Sequence, residues 1–196
     1  MKRLIVATSN RGKTREINNI VAELGFEVSS LLDVAIPPEI IEDGDTFEAN
    51  AIKKARIVSD AFDCASLADD SGLVVDALDG APGVFSARYG GEGLSDTQRY
   101  ERLLEALKDV PEHERTARFQ CALAFITPGE PVQLFNGTVE GRIAFAPRGT
   151  KGFGYDPVFL PEGQHISMAE LDSDKKQQIS HRGRALQQFA KWVSSR

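Results

Sequence analysis

Three short segments of this chain carry side chains in combinations that suit phosphate and cation chemistry. From Ala7 to Thr14 the sequence reads A-x-x-x-x-G-K-T, one residue away from the phosphate-cradling loop G-x-x-x-x-G-K-[ST]. The first glycine of that loop lets the backbone wrap the phosphates, whereas Ala7 reads as the last residue of a strand. The polar turn Thr8-Ser9-Asn10-Arg11-Gly12 still feeds a helix start with backbone donors, a favourable dipole and the Lys13 ammonium, all matched to a phosphate chain. The alternative is a plain surface turn with a solvated lysine. Asp69-Asp70-Ser71-Gly72 places two adjacent carboxylates at the expected end of a strand, a set able to hold a hard cation such as Mg2+. Neighbouring strand residues point to opposite faces, so one aspartate can face a cleft while the other fixes the loop through backbone N–H groups. The same four residues also make a common turn. The third segment, Gly149 to Pro157, has glycines that permit close backbone approach, with Phe153 and Tyr155 as flat faces on which a base could stack.

Other candidates carry less. Glu42, Asp43 and Asp45 form an acidic cluster that reads first as a solvated helix entry. His113 and His165 stand in polar segments without companions for metal binding or nucleophile activation, while His181 and Arg182 form a donor pair able to read polar atoms of a ligand. No Cys/His cluster favours zinc, and no G-x-S-x-G elbow favours acyl chemistry. Cys64 and Cys121 lie in apolar stretches and are expected as free thiols.

The elements that must position these residues follow from hydrophobic spacing. Leu4 to Ala7 reads as a buried strand. Ile17, Ile20, Val21 and Leu24 recur on one helical face, and Gly25 stands where a left-handed cap is wanted. A second helix is predicted from Thr46 to about Phe62, with Phe47, Ala51, Ala55 and Val58 inward and a capping box of Asp45 with Glu48. Cys64 to Ala68 reads as a strand running into the two aspartates. A third helix is capped by Ser95 with Gln98 and buries Tyr100, Leu103, Leu104 and Leu107. A strand from Phe119 to Phe125 turns at Thr127-Pro128-Gly129 into a partner from Val132 to Phe135. A single final helix carries Ile179, Leu186, Phe189 and Val193, with Lys176, His181 and Arg182 on or near its first turns. Strands alternating with helices, then a hairpin, predict an α/β fold with a mixed sheet in one domain spanning residues 1–196.

Composition narrows the class of partner. The 196 residues carry 23 Lys+Arg against 29 Asp+Glu, a formal charge of -6, so there is no basic excess of the kind that drives binding to nucleic acid. No apolar run approaches the roughly 20 residues that span a bilayer, and the segment from Met1 is too short for a signal core. A cytoplasmic protein without membrane or nucleic-acid partners is expected.

Taken in order, T-S-N-R-G-K at Thr8 to Lys13, E-x-G-x-T-F-x-x-N-A-x-x-K-A at Glu42 to Ala55, A-D-D-S-G-L at Ala68 to Leu73, G-A-P-G-V-F-S-A-R-Y at Gly80 to Tyr89, G-F-G-Y-D-P at Gly152 to Pro157 and S-H-R-G at Ser180 to Gly183 closely resemble the inosine triphosphate pyrophosphatase family. The match covers nearly the entire chain, and the joint order and spacing of its strings are highly specific. The resemblance implies an elongated mixed sheet flanked by helices, with two lobes and an active-site cleft between them. It implies a homodimeric enzyme that uses Mg2+ to convert ITP, dITP and XTP to the monophosphate and pyrophosphate. By position it assigns Asp70 as the catalytic carboxylate, with Glu42 beside it at the metal. It assigns the Thr8, Ser9, Asn10, Arg11, Gly12 and Lys13 turn, together with Lys54 and Lys176, to the triphosphate, and Ser71 to the substrate. Phe153, Gly154, Tyr155, Asp156, His181 and Arg182 would surround base and sugar. Ser9 stands where many relatives carry Gly. Two other readings remain beside it: a P-loop NTPase or small kinase using Ala7 to Thr14, and a nucleotide sensor that binds without hydrolysis.

Overall fold

The structure, a computed structural model, describes residues 2–196. The first apolar run forms strand β1 (Lys2–Val6), in which Leu4, Ile5 and Val6 have no exposed surface. It pairs in parallel with β2 (Phe26–Ser30) on one side and β3 (Ala65–Val75) on the other, which is why its Leu4, Ile5 and Val6 are consecutively apolar rather than alternating. Helix α1 (Arg11–Val21) buries Ile17 and Val21, and after a one-turn 3-10 segment the chain is capped by Gly25 at φ 77°, as the spacing required. Helix α2 (Phe47–Phe62) turns Phe47, Ala51, Ala55 and Val58 inward. Its cap is Thr46, whose hydroxyl accepts the Ala49 N–H at 3.1 Å, and not the predicted Asp45 box. Thr46 holds the extended backbone that a cap residue needs, and its short side chain reaches the first turn from there.

Three further expectations are revised. The strand expected to stop at Ala68 continues as β3 through both aspartates to Val75, so Asp69 and Asp70 lie mid-strand rather than at its end. Lys13 and Lys54 compensate the two carboxylates, so the ladder tolerates them. The single final helix is two, α4 (Ser173–Ile179) and α5 (His181–Ser194), separated by Ser180 in an extended conformation. Lys176 therefore belongs to α4, while His181 and Arg182 open α5. Neither β2 nor the three-residue β6 (Phe159–Pro161) was expected, because both are too short to show a period. Helix α3 (Asp96–Ala106) carries the predicted Ser95–Gln98 capping box. β4 (Thr116–Ile126) and β5 (Gln133–Ile143) form the hairpin, with β5 longer than the sequence suggested, and the Ile143 N–H donates to the Arg115 carbonyl at 2.9 Å.

Among the described residues the strands form one mixed six-stranded sheet in the order β2-β1-β3-β4-β5-β6, with β5 and β6 antiparallel, and the fold is α/β. The chain forms two compact units. The first holds residues up to Asp70, Cys121–Gly137 and Arg182–Arg196; the second holds Ser71–Gln120 and Thr138–His181. The first unit packs Leu4, Val6, Ile17, Leu67, Leu123 and Leu186 around an aromatic group in which Phe189 meets Phe125 at 5.2 Å and Phe135 at 5.5 Å. Such ring pairs add about 0.5 to 1.5 kcal/mol each beyond their buried area.

The second unit packs Leu73, Val75, Leu103, Leu107, Val139 and Phe159. Arg115 is buried there with 1% exposure and donates to the carbonyls of Leu107, Val110, Ile143 and Ala144, tying the end of α3 to the end of β5. No described helix is long and apolar enough to cross a membrane.

Candidate active site

In the first unit the turn from Thr8 to Lys13 is built by its own side chains. Asn10 caps α1, its Oδ1 accepting the N–H groups of Gly12 at 2.9 Å and Lys13 at 3.1 Å, while Thr8 Oγ1 accepts the Asn10 N–H at 3.1 Å. Three of the backbone donors expected for phosphate are therefore already engaged, since a capping asparagine satisfies the helix start locally. Arg11 is exposed at the first helical position. The functional outcome of the turn is the placement of Lys13, whose ammonium pairs with Asp69 and whose side chain keeps 16% of its surface exposed.

Strand alternation then separates the two aspartates. Asp69 is fully buried. It accepts from Arg182 Nε at 2.9 Å and from the Cys121 thiol at 3.0 Å, and Arg182 Nη1 reaches Glu16 at 2.5 Å. Burial alone would raise the Asp69 pKa, but the Arg182 and Lys13 charges outweigh it and hold the carboxyl well below its usual range. Burial pushes the Cys121 thiol up, and Asp69 pushes it further, so this thiol stays protonated and inert.

Asp70 meets a different set. Its Oδ1 accepts from Lys54 Nζ at 2.7 Å, and the same ammonium lies 3.2 Å from Glu42 Oε2. Helix α2 makes this arrangement: Asn50 latches the loop carrying Glu42 by accepting the Gly44 N–H at 2.8 Å, and Lys54 follows one turn later on the same face. Burial dominates Asp70 and, against the pull of Lys54, pushes its pKa up to about 6. Burial would also raise Glu42, but Lys54 outweighs it and the net shift is downward. Burial would lower Lys54, yet Asp70 and Glu42 together hold it charged.

Asp70 Oδ2 is buried without a hydrogen-bond partner. That oxygen with the half-buried Glu42 suits Mg2+, which takes one or two carboxylates and completes its shell with water and phosphate oxygens. Among the described residues no group of three or more His, Cys, Asp or Glu is placed to hold a metal ion.

In the second unit the G-F-G-Y-D-P segment is organised around Asp156. Its buried carboxylate accepts the Phe153 N–H at 2.8 Å and Lys176 Nζ at 2.7 Å, and the Lys176 ammonium lies 4.7 Å from the Phe153 ring centre. Gly152 sits at φ 78°, and a Cβ there would overlap the Asp156 carboxylate. The Gly154 N–H donates to Asp96 Oδ2 at 2.8 Å. Tyr155, expected as a stacking face, is instead a core residue whose hydroxyl donates to the Ser86 carbonyl at 2.9 Å; a mostly apolar side chain with one satisfied polar end is best buried. His181 is buried against Phe119, rings 4.8 Å apart and tilted by 12°. Ser71 is half-buried in β3.

The structure thus brings Lys13 to Asp69, Lys54 and Glu42 to Asp70, and Lys176 and Phe153 to Asp156. Arg182 is 2% exposed and pairs with Asp69 and Glu16. Sequence reasoning did not single out Glu16, Asn50 or Asp96. Glu16 and Lys13 stand three apart on α1, a spacing that places them on one face and could have flagged the pair. His113 and His165 are exposed, and Cys64 and Cys121 are both free thiols, as expected.

Comparison with known proteins supplies the lineage. The Ham1 family model matches residues 4–192. The chain is 52% identical over 186 residues to the dITP/XTP pyrophosphatase of Geobacter sulfurreducens, covering 95% of this chain and 94% of that one. It is 48% identical over 194 residues to the dITP/XTP pyrophosphatase of Oceanobacillus iheyensis, covering 98% of each. Among solved structures, a HAM1 protein from Coxiella burnetii superposes with a TM-score of 0.91 at 38% identity over 100% of both chains. Motif order, fold and full-length similarity agree, and the chain belongs to the Ham1 family.

Proposed function

We propose that this protein is a nucleoside triphosphate pyrophosphatase that hydrolyses noncanonical purine nucleotides, dITP, XTP and ITP, to the monophosphate and pyrophosphate. The observation that carries the reading is similarity over nearly the full chain to enzymes named for that activity, in a chain that gathers Asp70, Lys54 and Glu42 together. In the first unit, Lys13 and Lys54 with the Thr8 to Lys13 turn take the triphosphate. Lys54 does so while holding Asp70 and Glu42 in register. Asp70, poised near pH 6 by burial, is the carboxylate that orients the attacking water or accepts its proton. Asp70 and Glu42 would hold Mg2+, which when bound neutralises charge developing on the phosphate oxygens. In the second unit, Phe153 and His181 are the groups proposed for the base, with Lys176 and Asp156 fixing Phe153. The resemblance further supports a cytoplasmic homodimer, testable for the oligomer by sedimentation.

The test is product analysis with dITP, XTP, ITP, ATP and GTP in the presence of Mg2+. Pyrophosphate with monophosphate from the first three, and little turnover of ATP, is expected. Orthophosphate with the diphosphate would indicate a kinase-like NTPase, and binding without product a sensor.

A further inference from the structure

Phe153 stands between two glycines, Gly152 and Gly154, whose backbones are left-handed at φ 78° and 62°. Glycine on either side leaves the backbone free to turn, so the place of the ring must come from bonds made to the loop. Two carboxylates supply them on successive amides. Asp156 accepts the Phe153 N–H at 2.8 Å and is held in turn by Lys176 of α4. Asp96, the first residue of α3, accepts the Gly154 N–H at 2.8 Å. We infer that Asp96 is a positioning residue for Phe153, which makes the start of α3 a working part of the platform on which the nucleotide base stacks. The inference rests on the reading that Phe153 serves the base.

Asp96 is itself set in place by its neighbours. The capping box closes the helix start, the Ser95 N–H donating to Gln98 Oε1 at 2.8 Å and the Gln98 N–H to Ser95 Oγ at 3.2 Å, which leaves the Asp96 side chain free of capping duty. Arg99 Nη1 donates to Asp96 Oδ1 at 3.1 Å, and the Gly154 N–H takes Oδ2. Each oxygen thus has its own donor, and the carboxylate plane is fixed. One residue further on, the Tyr155 hydroxyl is anchored to the Ser86 carbonyl at 2.9 Å. The peptide plane between Phe153 and Gly154 is therefore clamped at its N–H by Asp96, while its carbonyl accepts the Asp156 N–H at a longer 3.3 Å. A carboxylate acceptor makes the stronger of these two bonds. Without it the plane can turn about the glycine, and the ring turns with it.

The test is a double-mutant cycle between Asp96→Ala and Phe153→Ala, read by kcat and KM for dITP and by competitive inhibition with inorganic tripolyphosphate, Mg2+ being present throughout. Phe153→Ala is expected to raise KM about thirtyfold and Asp96→Ala about tenfold, the loss of all or part of a base-stacking contact. For both variants kcat and tripolyphosphate inhibition should stay within about threefold of wild type. In the Phe153→Ala background Asp96→Ala should add less than about twofold, because a residue that acts through the ring has no effect once the ring is gone. Asp96→Asn, whose amide oxygen can still accept the Gly154 N–H, should fall between wild type and Asp96→Ala. The ratio of kcat/KM for dITP to that for ATP should stay within about twofold in Asp96→Ala, since a stacking face accepts any purine. Amide hydrogen exchange gives a readout apart from activity: in Asp96→Ala the Gly154 amide should exchange faster while that of Leu103, in the core of the same unit, keeps its protection. Additive effects in the cycle, a changed dITP/ATP ratio, lost protection at Leu103, or a wild-type KM for Asp96→Ala beside a raised one for Phe153→Ala would each overturn the positioning role and leave Phe153 at the base. An unchanged KM for Phe153→Ala would overturn the base reading and this inference with it.

Discussion

Asp69 and Asp70 are consecutive in β3 and are driven in opposite directions of acidity, the first held well below the ordinary carboxylate range and the second raised to about 6. Both are buried, so burial does not distinguish them. What differs is the cations' proximity and sharing: Asp69 is paired directly with both Arg182 and Lys13, while Asp70 is paired with Lys54, which it shares with Glu42, and feels Lys13 only as a weaker, more distant charge. A strand's two faces thus yield a permanently ionised anchor and a carboxylate that can exchange a proton or accept a cation near neutral pH.

Asp70→Asn is expected to lower kcat by about 100-fold to 10,000-fold while preserving the fold, because the amide is nearly isosteric but can neither accept a proton nor hold a cation tightly. Steady-state kinetics with circular dichroism on the same preparation check it. Near-normal turnover by the folded variant would remove Asp70 from the chemistry.

The raised Asp70 pKa fixes a sign for stability. Between the unfolded value of 3.8 and about 6, the folded metal-free protein keeps a proton that the unfolded chain releases, so stability falls as pH rises through that window. Relative to Asp70→Asn, the wild type should lose on the order of 2 to 3 kcal/mol across it, by the linkage of about 1.4 kcal/mol per pKa unit. Denaturant melts of both proteins at a series of pH values measure the difference; a wild type that gains stability relative to Asp70→Asn as pH rises contradicts it. In kinetics, kcat/KM should decline below about pH 6, and added Mg2+ should shift that limb to lower pH by competing with the proton.

Lys13→Ala should raise KM for dITP about tenfold to a hundredfold, the loss of a charge-assisted phosphate contact worth roughly 1.5 to 3 kcal/mol. Asp69 keeps Arg182, so the melting temperature should move by no more than a few degrees. A large drop in melting temperature with unchanged kinetics would make Lys13 structural.

Gly152→Ala forces a Cβ into a left-handed backbone and into the Asp156 carboxylate, which must then release the Phe153 N–H or Lys176. Backbone strain alone costs about 1 to 3 kcal/mol. Weaker nucleotide binding is expected, with inhibition by inorganic tripolyphosphate changed less than KM, if Phe153 serves the base. Equal losses in both would place this loop at the phosphates instead.

The sequence by itself determined the spacing of the inward faces of α1, α2, α3 and α5 and the Gly25 and Ser95 caps, because these depend on local periodicity and local hydrogen bonding, whereas Lys13 and Asp70 stood out by residue type and Lys54 only through the family resemblance. Ordered motif strings pointed to the family for the same reason, being read along the chain. Pairing across the chain was decided only by tertiary structure. Nothing near Arg182 in sequence announces that its partners are Glu16 and Asp69, which lie 166 and 113 residues away. Whether a carboxylate is an anchor or a proton acceptor depends on how closely the folded chain gathers cations around it. Tyr155 and Phe153, two aromatic residues two positions apart in a glycine-rich string, were equivalent as sequence; burial in the second unit made one a core residue and left the other beside Lys176. Long-range Coulomb and packing contacts carry no local periodic signal, and they set the chemistry of this site.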